Sequence, residues 1–439
     1  MKVLKFGGSS VGSAQRMMNV ARLIDDGEQK LVVLSAMSGT TNSLVEICNY
    51  YSNANVEGAS DVISSLESKY TKHVAELYAT DEYKDKAWAL LSEIFAFLRS
   101  FAGKNFGVVE EKSILAQGEI MSTNMFTYYL MEKGVDVTLL PALNYMRIDA
   151  AGEPDLPYIA DHIGDLLEQK QAYIYITQGY ICRNSSGDID NLQRGGSDYS
   201  ASLIGAAIQA EEIQIWTDID GMHNNDPRVV DHTSAVHHIH FEEASELAYF
   251  GAKVLHPTCI QPAKNANIPV RILNTMQPEA EGTLINNQLE AGKIKAVAAK
   301  DNIAAIRIKS SRMLLAYGFL RRVFDIFEKY KTSIDMICTS EIGVSLTVDN
   351  TSHLNEIVHE LKKYGTVSVD LDMCIVCVVG DMDWENVGFE TRAMEAMKNI
   401  PVRMVSYGGS NYNISFLVRE EDKNRALRAL SAHLFDGQD

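Results

Sequence analysis

The 439-residue sequence lacks an apolar run of transmembrane length, and no apolar leader segment opens it. It also lacks positive charge, since 58 acidic residues outnumber 40 basic ones and the formal net charge is −18. This balance argues against nucleic acid binding, because nothing in the sequence suggests a basic stripe for contact with a phosphodiester backbone. We therefore expect a cytoplasmic protein whose partners include neither a membrane nor a nucleic acid.

Cysteine is scarce and scattered, with six residues at positions 48, 182, 259, 338, 374 and 377. Most lie in apolar, strand-like runs, which is typical of reduced core cysteines. Cys374 and Cys377 form a CxxC motif within a predicted strand, where positions three apart face opposite sides. The sequence VHHIH at 236–240 has no second Cys/His cluster beside it, and a half-exposed strand explains its alternation. We predict no protein-bound metal site.

The first ten residues, MKVLKFGGSS, contain neither GxxxxGK[ST] nor GxGxxG. They instead predict a short buried strand that carries Lys5, a turn of Gly7 and Gly8, and a helix capped by Ser13. Glycines let backbone N–H groups approach a phosphate, and a lysine in an apolar strand requires an anionic partner. Taken alone, this stretch is either a phosphate site or an ordinary strand-to-helix turn.

A second predicted strand, 31–35, ends in the small hydroxyl residues of 36–42. Ligands of open α/β sheets bind at the carboxyl ends of strands, so this is a binding loop or a capping loop. In either case we expect Asn42 to cap a helix that begins near Ser43. Residues from about 55 to 112 predict a helical insertion with an architectural role.

A predicted helix at 113–133 carries Glu119 on a largely apolar face, where the carboxylate is either paired structurally or directed at a ligand. Further along, the run RGGSD at 194–198 opens a helix of small residues. An arginine suits a carboxylate and an aspartate suits an ammonium, so Arg194 and Asp198 together suit an α-amino acid. The alternative, a first-turn aspartate beside a surface arginine, stays open at this point.

Thr217, Asp218 and Asp220 follow the predicted strand 213–216, and acidic residues at such a strand end suit Mg²⁺ bound through water. A predicted helix at 241–256 places Lys253 near its end, as a second cation for phosphates. From about residue 294 the pattern βαββαβ occurs twice. The second copy lacks its last strand, and we predict that 294–299 crosses over to complete it, so that the copies interlock.

Six stretches in chain order resemble the aspartate kinases: KFGGSS, SGTTN, GE at 118–119, RGGSD, WTDIDG with DPR at 216–228, and FGAKVLHP at 250–257. The resemblance covers the whole chain, and the two repeats look like paired ACT domains. It implies a three-layer α/β/α amino-acid-kinase sandwich at 1–293. An ACT-like domain at 300–370 follows, and a second consists of 371–439 with strand 294–299. We expect no homoserine dehydrogenase half.

The resemblance also implies ATP-dependent phosphorylation of the β-carboxylate of L-aspartate, with Mg²⁺ as the accompanying ion. The implied catalytic residues are Lys5, Asp198 and Lys253. The implied ATP contacts are Lys5, Phe6, Gly7, Gly8, Thr217, Asp218, His223, Arg228, Lys253 and Val254. The implied aspartate contacts are Thr41, Glu119, Arg194, Gly195, Gly196, Ser197 and Asp198. Many relatives have a tyrosine in place of His223, so its stacking role is open.

Paired ACT domains in this family commonly bind an end-product amino acid, and the resemblance favours lysine over threonine. The implied effector contacts are Met313, Ala316, Phe319, Leu320, Ser333, Ile334, Asp335, Thr339, Ser340 and Glu341. Asp335 occupies the position that holds the ligand's ammonium in lysine-sensitive relatives, whereas Leu315 and Ala316 replace polar residues. We expect lysine to bind between a helix at 318–330 and a strand at 333–338. The repeats also predict a homodimer or homotetramer.

Two other classes of function stay open from the sequence. The first is another kinase of the same fold, such as an acetylglutamate or uridylate kinase, against which the paired repeats and the GTTN loop argue. The second is a non-catalytic amino-acid sensor. For the repeats alone, a purely structural role as a dimerisation platform also stays open beside effector binding. A sensor would be expected to lack Lys5, Asp198 or Lys253, and all three are present.

Overall fold

The computed structural model describes residues 1–192, 195–251, 255–310 and 317–435. The chain forms two compact units, one of Met1–Met222 with Leu255–Asn287 and one of His223–Val254 with Gln288–Asp439. The second unit therefore includes a stretch that precedes the predicted boundary at residue 293. The predicted domain limits themselves stay predictions.

The strands are β1 Lys2–Phe6, β2 Lys30–Leu34, β3 Val137–Leu139, β4 Ile174–Gln178, β5 Ile181–Arg183, β6 Ile189–Asn191, β7 Ile213–Thr217, β8 His238–His240, β9 Val270–Asn274, β10 Thr283–Asn286, β11 Ile294–Lys309, β12 Ile337–Ser340, β13 Gly343–Val348, β14 Thr366–Gly380, β15 Met404–Tyr407 and β16 Asn413–Arg419. The helices are α1 Ala14–Ile24, α2 Thr40–Ser52, α3 Val56–Leu77, α4 Asp81–Arg99, α5 Val108–Leu115, α6 Gln117–Glu132, α7 Leu156–Gln169, α8 Gly196–Ala207, α9 Phe241–Tyr249, α10 Pro257–Asn265, α11 Phe319–Lys329, α12 Leu354–Leu361, α13 Phe389–Ala396 and α14 Lys423–Leu434.

The first unit is built on a sheet whose strands run in the order β3-β4-β2-β1-β7-β9-β10. All of these are parallel to their neighbours except β10, which is antiparallel to β9. Leu4 and Phe6 of β1 pack in one core with residues of α1, α2, α3, α4 and α6. Helix α8 contacts β1, β2 and β7. Because side chains alternate along a strand, Lys5 faces away from that core.

The second unit contains a sheet in the order β12-β13-β11-β14-β16-β15, with antiparallel neighbours throughout. The first half of β11, residues 294–300, pairs with residues 375–380 of β14, which open the second repeat. The second half of β11 pairs with the earlier half of β14. The predicted crossover of 294–299 is therefore confirmed, and the two repeats share two long strands.

Each repeat has its own helix-covered core. In the first, α11 and α12 pack on strand residues that include Ile306 and Leu346. In the second, residues of α13 and α14 pack on Val376 and Phe416. Helix α9, which precedes the repeats in the chain, contacts both β11 and β14.

Several local predictions were wrong in detail. Helix α2 begins at Thr40 rather than near Ser43, and its N-cap is Gly39 with φ +81 instead of Asn42. The helix predicted at 113–133 is two helices that meet at Ala116. Helix α9 ends at Tyr249, and β12 begins at Ile337 rather than at 333. In the part of the chain that the structure describes, no helix has the length and apolar character needed to cross a membrane.

Candidate functional site

Three loops meet at the carboxyl edge of the sheet in the first unit. Phe6 of β1 lies in register with Leu34 of β2 on one side and with Trp216 of β7 on the other. The glycine turn after β1, the loop after β2 and the Thr217–Asp218 segment therefore emerge beside one another. This is the edge at which parallel α/β sheets bind ligands.

Lys5 forms an ion pair across the sheet surface with Asp198, in the first turn of α8. Its Nζ lies 2.6 Å from Asp198 Oδ1, and only 11% of the lysine side chain and 19% of the aspartate side chain are exposed. A mostly buried lysine needs such a partner, and this confirms the prediction of an anionic group beside it. The pair places one positive and one negative group beside the glycine turn.

The glycine turn lies against the loop after β2. A Cβ at Gly8 would be 2.7 Å from the carbonyl oxygen of Ala36, which is too close for any larger residue. The backbone N–H of Ser38 donates a hydrogen bond to the carbonyl oxygen of Gly8. A Cβ at Gly7 would lie 3.5 Å from Lys5 Nζ, so the lysine head lies directly beside this turn.

The N-terminus of α8 is fixed by close packing. Gly195 is its N-cap with φ +71, and a Cβ there would lie 2.0 Å from Cys259 Sγ. Ser197 accepts a hydrogen bond of 2.9 Å from the hydroxyl of Ser35, which links α8 to the loop after β2. The helix end contributes free N–H groups and partial positive charge at the same edge as Lys5.

Glu119 lies in the first turn of α6 and is only 4% exposed. The N–H of Ala36 donates to its Oε1 at 3.1 Å, whereas its Oε2 has no hydrogen-bond partner among the residues that the structure describes. Burial raises the pKa of this carboxyl to about 8, against the lowering effect of the Ala36 N–H. A buried carboxyl with one free oxygen is suited to an incoming ammonium.

The other predicted residues of this edge are more exposed. Thr41 lies on the surface in the first turn of α2, and Asp218 is exposed at the end of β7, where its carboxylate accepts from Thr217 Oγ1 at 3.3 Å. Gly196 follows the cap of α8 with φ +49. The predictions for Arg194, Lys253 and Val254 lie outside the described residues.

Two predicted ATP contacts belong to the second unit. Arg228 donates to both oxygens of Asp226, at 2.9 and 2.8 Å, and this interaction lowers the pKa of the aspartate. The Nδ1 atom of His223 lies 2.9 Å from Thr233 Oγ1. Both side chains thus have partners within their own unit.

In the first ACT-like repeat, the side chain of Asp335 is fully buried within a cluster of polar residues. Lys300 Nζ lies 2.7 Å from Asp335 Oδ1 and 2.9 Å from Asp349 Oδ2. The hydroxyl of Tyr249, the last residue of α9, donates to Asp335 Oδ1 at 2.8 Å, and the lysine head lies 4.2 Å from the centre of the tyrosine ring. Asp335 Oδ2 has no hydrogen-bond partner among the described residues.

Burial is the main influence on the ionisation of this cluster. It raises the pKa of Asp335 above the ordinary value, and Lys300 opposes the rise. Burial lowers the pKa of Lys300, but its hydrogen bonds to Asp335 and Asp349 raise it on balance. It also raises the pKa of Tyr249 to about 12. Lys300 therefore keeps its charge despite burial, and Tyr249 is a neutral phenol.

The remaining predicted effector residues are distributed unevenly. Phe319 is a core residue of the first repeat, Ile334 is half-buried, and five are exposed: Leu320, Ser333, Thr339, Ser340 and Glu341. The predictions for Met313 and Ala316, together with Leu315, lie outside the described residues. Across the described ranges, no group of three or more His, Cys, Asp or Glu residues is arranged to hold a metal ion.

The sequence did not reveal several residues of these sites. Ser35 was assigned to the end of a strand, yet it bonds to Ser197. Lys69 and Tyr70 belong to the insertion and contact the loop after β2. Tyr249 and Lys300 contact Asp335 from distant positions in the chain. The only sequence feature that could have drawn attention to Lys300 is its position just before a predicted strand.

Known proteins that are similar to this chain identify its family. Residues 1–274 match the family model of the amino acid kinase family, and residues 376–434 match that of an ACT domain. Aspartokinase 1, chloroplastic, of Arabidopsis thaliana is 34% identical over 463 residues, which cover 100% of this chain and 80% of that protein.

Solved structures of an aspartokinase are similar to this chain over nearly its whole length. The crystal structure of E. coli aspartokinase III in complex with aspartate and ADP, in its R-state, has a TM-score of 0.86 at 32% identity. The T-state structure of that enzyme with lysine and aspartate has a TM-score of 0.82 at 32% identity. Each alignment covers 99% of this chain and 100% of the other.

A parallel sheet with a glycine turn after its central strand, followed by ACT-like repeats, is thus the architecture of a regulated kinase that acts on a small molecule. The chain belongs to the aspartokinases of the amino acid kinase family.

Proposed function

We propose that this protein transfers the γ-phosphoryl group of ATP to the β-carboxylate of L-aspartate, which gives 4-phospho-L-aspartate. The observation that carries the proposal is the mostly buried ion pair of Lys5 and Asp198 beside the glycine turn. The aspartokinase III relative was solved with aspartate and ADP, which supports the same two ligands here.

In this reaction the substrate carboxylate is itself the nucleophile, so the protein supplies position and charge rather than a serine or cysteine. We assign Lys5 to the charge of the transferring phosphoryl group, because its head lies beside Gly7 in a site of low exposure. By family likeness, Lys253 is the second cation. Phe6, Gly8, Thr217, Asp218, His223, Arg228 and Val254 complete the proposed ATP contacts.

Aspartate recognition is assigned to groups with complementary charge. The free Oε2 of Glu119 suits the α-ammonium, and Arg194 suits the α-carboxylate. The N-terminal turn of α8, with Gly195, Gly196 and Ser197, supplies N–H groups for the anionic substrate. Thr41 completes the set, and Asp198 lies close to both ligands.

We expect ATP to enter with Mg²⁺. Asp198 and Asp218 present carboxylate oxygens near the glycine turn, and these are the donors that Mg²⁺ prefers. When bound, the ion would neutralise phosphate charge.

The regulatory ligand is proposed to be lysine, with threonine as the second candidate, because the E. coli relative binds lysine in its T-state. Asp335 is the proposed partner for the ligand's ammonium. Its Oδ2 has no hydrogen-bond partner among the described residues, whereas an ammonium that enters at Oδ1 would compete with Lys300 and Tyr249. Cytoplasmic location and a homodimer or homotetramer formed through the repeats stay predictions.

A coupled assay of ADP formation tests the proposal, with aspartate, glutamate, N-acetylglutamate and UMP as acceptors. We expect turnover with aspartate alone and inhibition by added lysine. Turnover with N-acetylglutamate or UMP would indicate a different kinase of the same fold. No turnover with any acceptor, combined with lysine binding, would indicate a sensor.

A further inference from the structure

The helical insertion contacts the loop that leads into α2. Lys69 Nζ of α3 donates a hydrogen bond of 2.5 Å to the carbonyl oxygen of Ser38. The next residue, Tyr70, is completely buried, and its hydroxyl lies 3.1 Å from the hydroxyl of Thr40. Two consecutive residues of one helix thus hold the loop on both sides of Gly39.

The same loop is held from other directions by residues of the proposed active site. The N–H of Ser38 donates to Gly8, and the N–H of Ala36 donates to Glu119. Gly39 adopts φ +81, a conformation that ordinary side chains rarely adopt. The path of the loop is therefore determined by several separate hydrogen bonds around a glycine in the left-handed conformation.

Lys69 is directed at the backbone of the loop rather than at a carboxylate. In the part of the chain that the structure describes, no carboxylate forms an ion pair with its ammonium, and burial lowers its pKa. The ammonium also lies near the N-terminus of α2, where a positive charge is unfavourable. The hydrogen bond from Lys69 to the carbonyl oxygen of Ser38 offsets these unfavourable effects.

We propose that Lys69 is a positioning residue for aspartate, and that the helical insertion has a role in substrate binding as well as in architecture. By fixing Ser38, Lys69 sets the direction of the first turn of α2, and with it the N–H and hydroxyl groups of Thr41. Tyr70 makes a second attachment through Thr40. The inference rests on the proposed function, because Thr41 is a proposed aspartate contact.

Steady-state kinetics of Lys69→Met with the full chain test the proposal. We expect the KM for aspartate to rise about fivefold to tenfold, since small displacements of positioning groups have effects of this order or larger. The kcat value and the KM for ATP should change less than about twofold. Lys69→Arg retains a donor and should restore the KM for aspartate to near the wild-type value.

Lys72→Met is the matched control, because Lys72 lies three residues further along the same helix, is 80% exposed and pairs only loosely with Glu76 at 3.8 Å. It should leave all constants unchanged. An unchanged KM for aspartate in Lys69→Met, or an equal rise in Lys72→Met, would overturn the proposal. So would a lowered melting temperature with no change in KM, because that result describes a structural role alone.

Amide hydrogen exchange separates this inference from the proposed function. In Lys69→Met the amides of residues 38–42 should exchange faster while those of β1 and β2 stay protected. If the wild type shows no aspartate-dependent turnover, the proposed function fails. Unchanged exchange in the loop of Lys69→Met would independently refute the proposal that Lys69 positions this loop. Faster exchange confined to the loop supports it.

Discussion

The ammonium of Lys300 and the carboxylate of Asp335 lie 2.7 Å apart in the first ACT-like repeat, and Tyr249 donates to the same carboxylate oxygen. An effector ammonium that takes Oδ1 of Asp335 must therefore displace a lysine of the chain, whereas Oδ2 has no hydrogen-bond partner among the described residues. Breaking the Lys300–Asp335 pair costs free energy. An effector that takes Oδ1 from Lys300 must gain more binding free energy than this cost, because a ligand shifts a conformational equilibrium only by its difference in affinity for the two states.

Replacing Lys300 with Met should make the enzyme more sensitive to lysine. The substitution removes the competing ammonium and leaves Asp335 with Tyr249 alone, at a cost of about 1–3 kcal/mol in unfolding free energy. We expect the half-inhibitory concentration of lysine to fall severalfold, and added lysine to raise the melting temperature more than in the wild type.

Lys309→Met is the control for this experiment, because Lys309 is exposed on the same strand, β11. It should change neither the inhibition nor the thermal shift. If Lys300→Met is inhibited at the same lysine concentration as the wild type, Lys300 does not compete with the effector.

Lys5→Met should lower kcat by about 10²–10³, the loss that follows removal of one charge-stabilising group in comparable sites. The head of Lys5 lies beside Gly7 and pairs with Asp198, so its loss leaves a carboxylate unpaired where phosphate charge accumulates. Initial rates at saturating aspartate and ATP measure the effect. Lys2→Met, on the same strand but paired with the exposed Glu28, should retain normal turnover. Normal turnover in Lys5→Met would contradict the mechanism.

The two central features of the fold were predictable because each depends on local pattern. The strand, glycine turn and helix at the N-terminus follow from apolar residues around Lys5 and from a Ser13 cap, and both the strand and the cap are present. The crossover of 294–299 followed from counting strands in two copies, one of which was a strand short. The hydrophobic pattern was sufficient to predict the N-terminal strand and helix, and the number of strands in each repeat was sufficient to predict the crossover.

Contacts between distant parts of the chain were not predictable in the same way. Asn42 is a residue type that often caps helices, but the N-cap of α2 is Gly39, three residues earlier, where hydrogen bonds hold Ser38 and Thr40. Nothing near Lys69 or Tyr249 in the sequence indicates Ser38 or Asp335 as a partner. Hydrogen bonds between distant parts of the chain determine the start of α2 and the partners of Ser38 and Asp335. Such bonds cannot be inferred from a single sequence.

Glu119 should make aspartate binding depend on pH. Burial raises its pKa to about 8, so at pH 7 the free enzyme holds a mostly neutral carboxyl that must lose a proton to pair with an ammonium. We expect kcat/KM for aspartate to rise by up to about tenfold per pH unit below pH 8 and then to level off. The KM for ATP should not follow this profile. Glu119→Gln should raise the KM for aspartate about tenfold or more and abolish this pH dependence.

The same carboxyl should affect stability in the opposite direction. The unfolded chain ionises Glu119 near its ordinary value of 4.5, whereas the folded chain keeps the proton up to about pH 8. The folded state therefore binds more protons in this window, and its stability falls as pH rises from about 4.5 to about 8. The free energy of unfolding, measured with urea, should fall less over this pH range for Glu119→Gln than for the wild type. An equal fall in both proteins would exclude a raised pKa at this position.

Gly195→Ala should weaken both folding and catalysis, and Cys259 should be the reason. The added Cβ would lie 2.0 Å from Cys259 Sγ, and the residue has φ +71, so we expect a loss of about 2–4 kcal/mol in unfolding free energy. Gly164→Ala, in α7 with open space around it, should be neutral or slightly stabilising. In the double variant Gly195→Ala with Cys259→Ala the sulfur is absent, so part of the loss should be recovered. The remainder measures the cost of the left-handed backbone. If the double variant is as unstable as the sum of the two single variants, the sulfur contact is not the source of the strain.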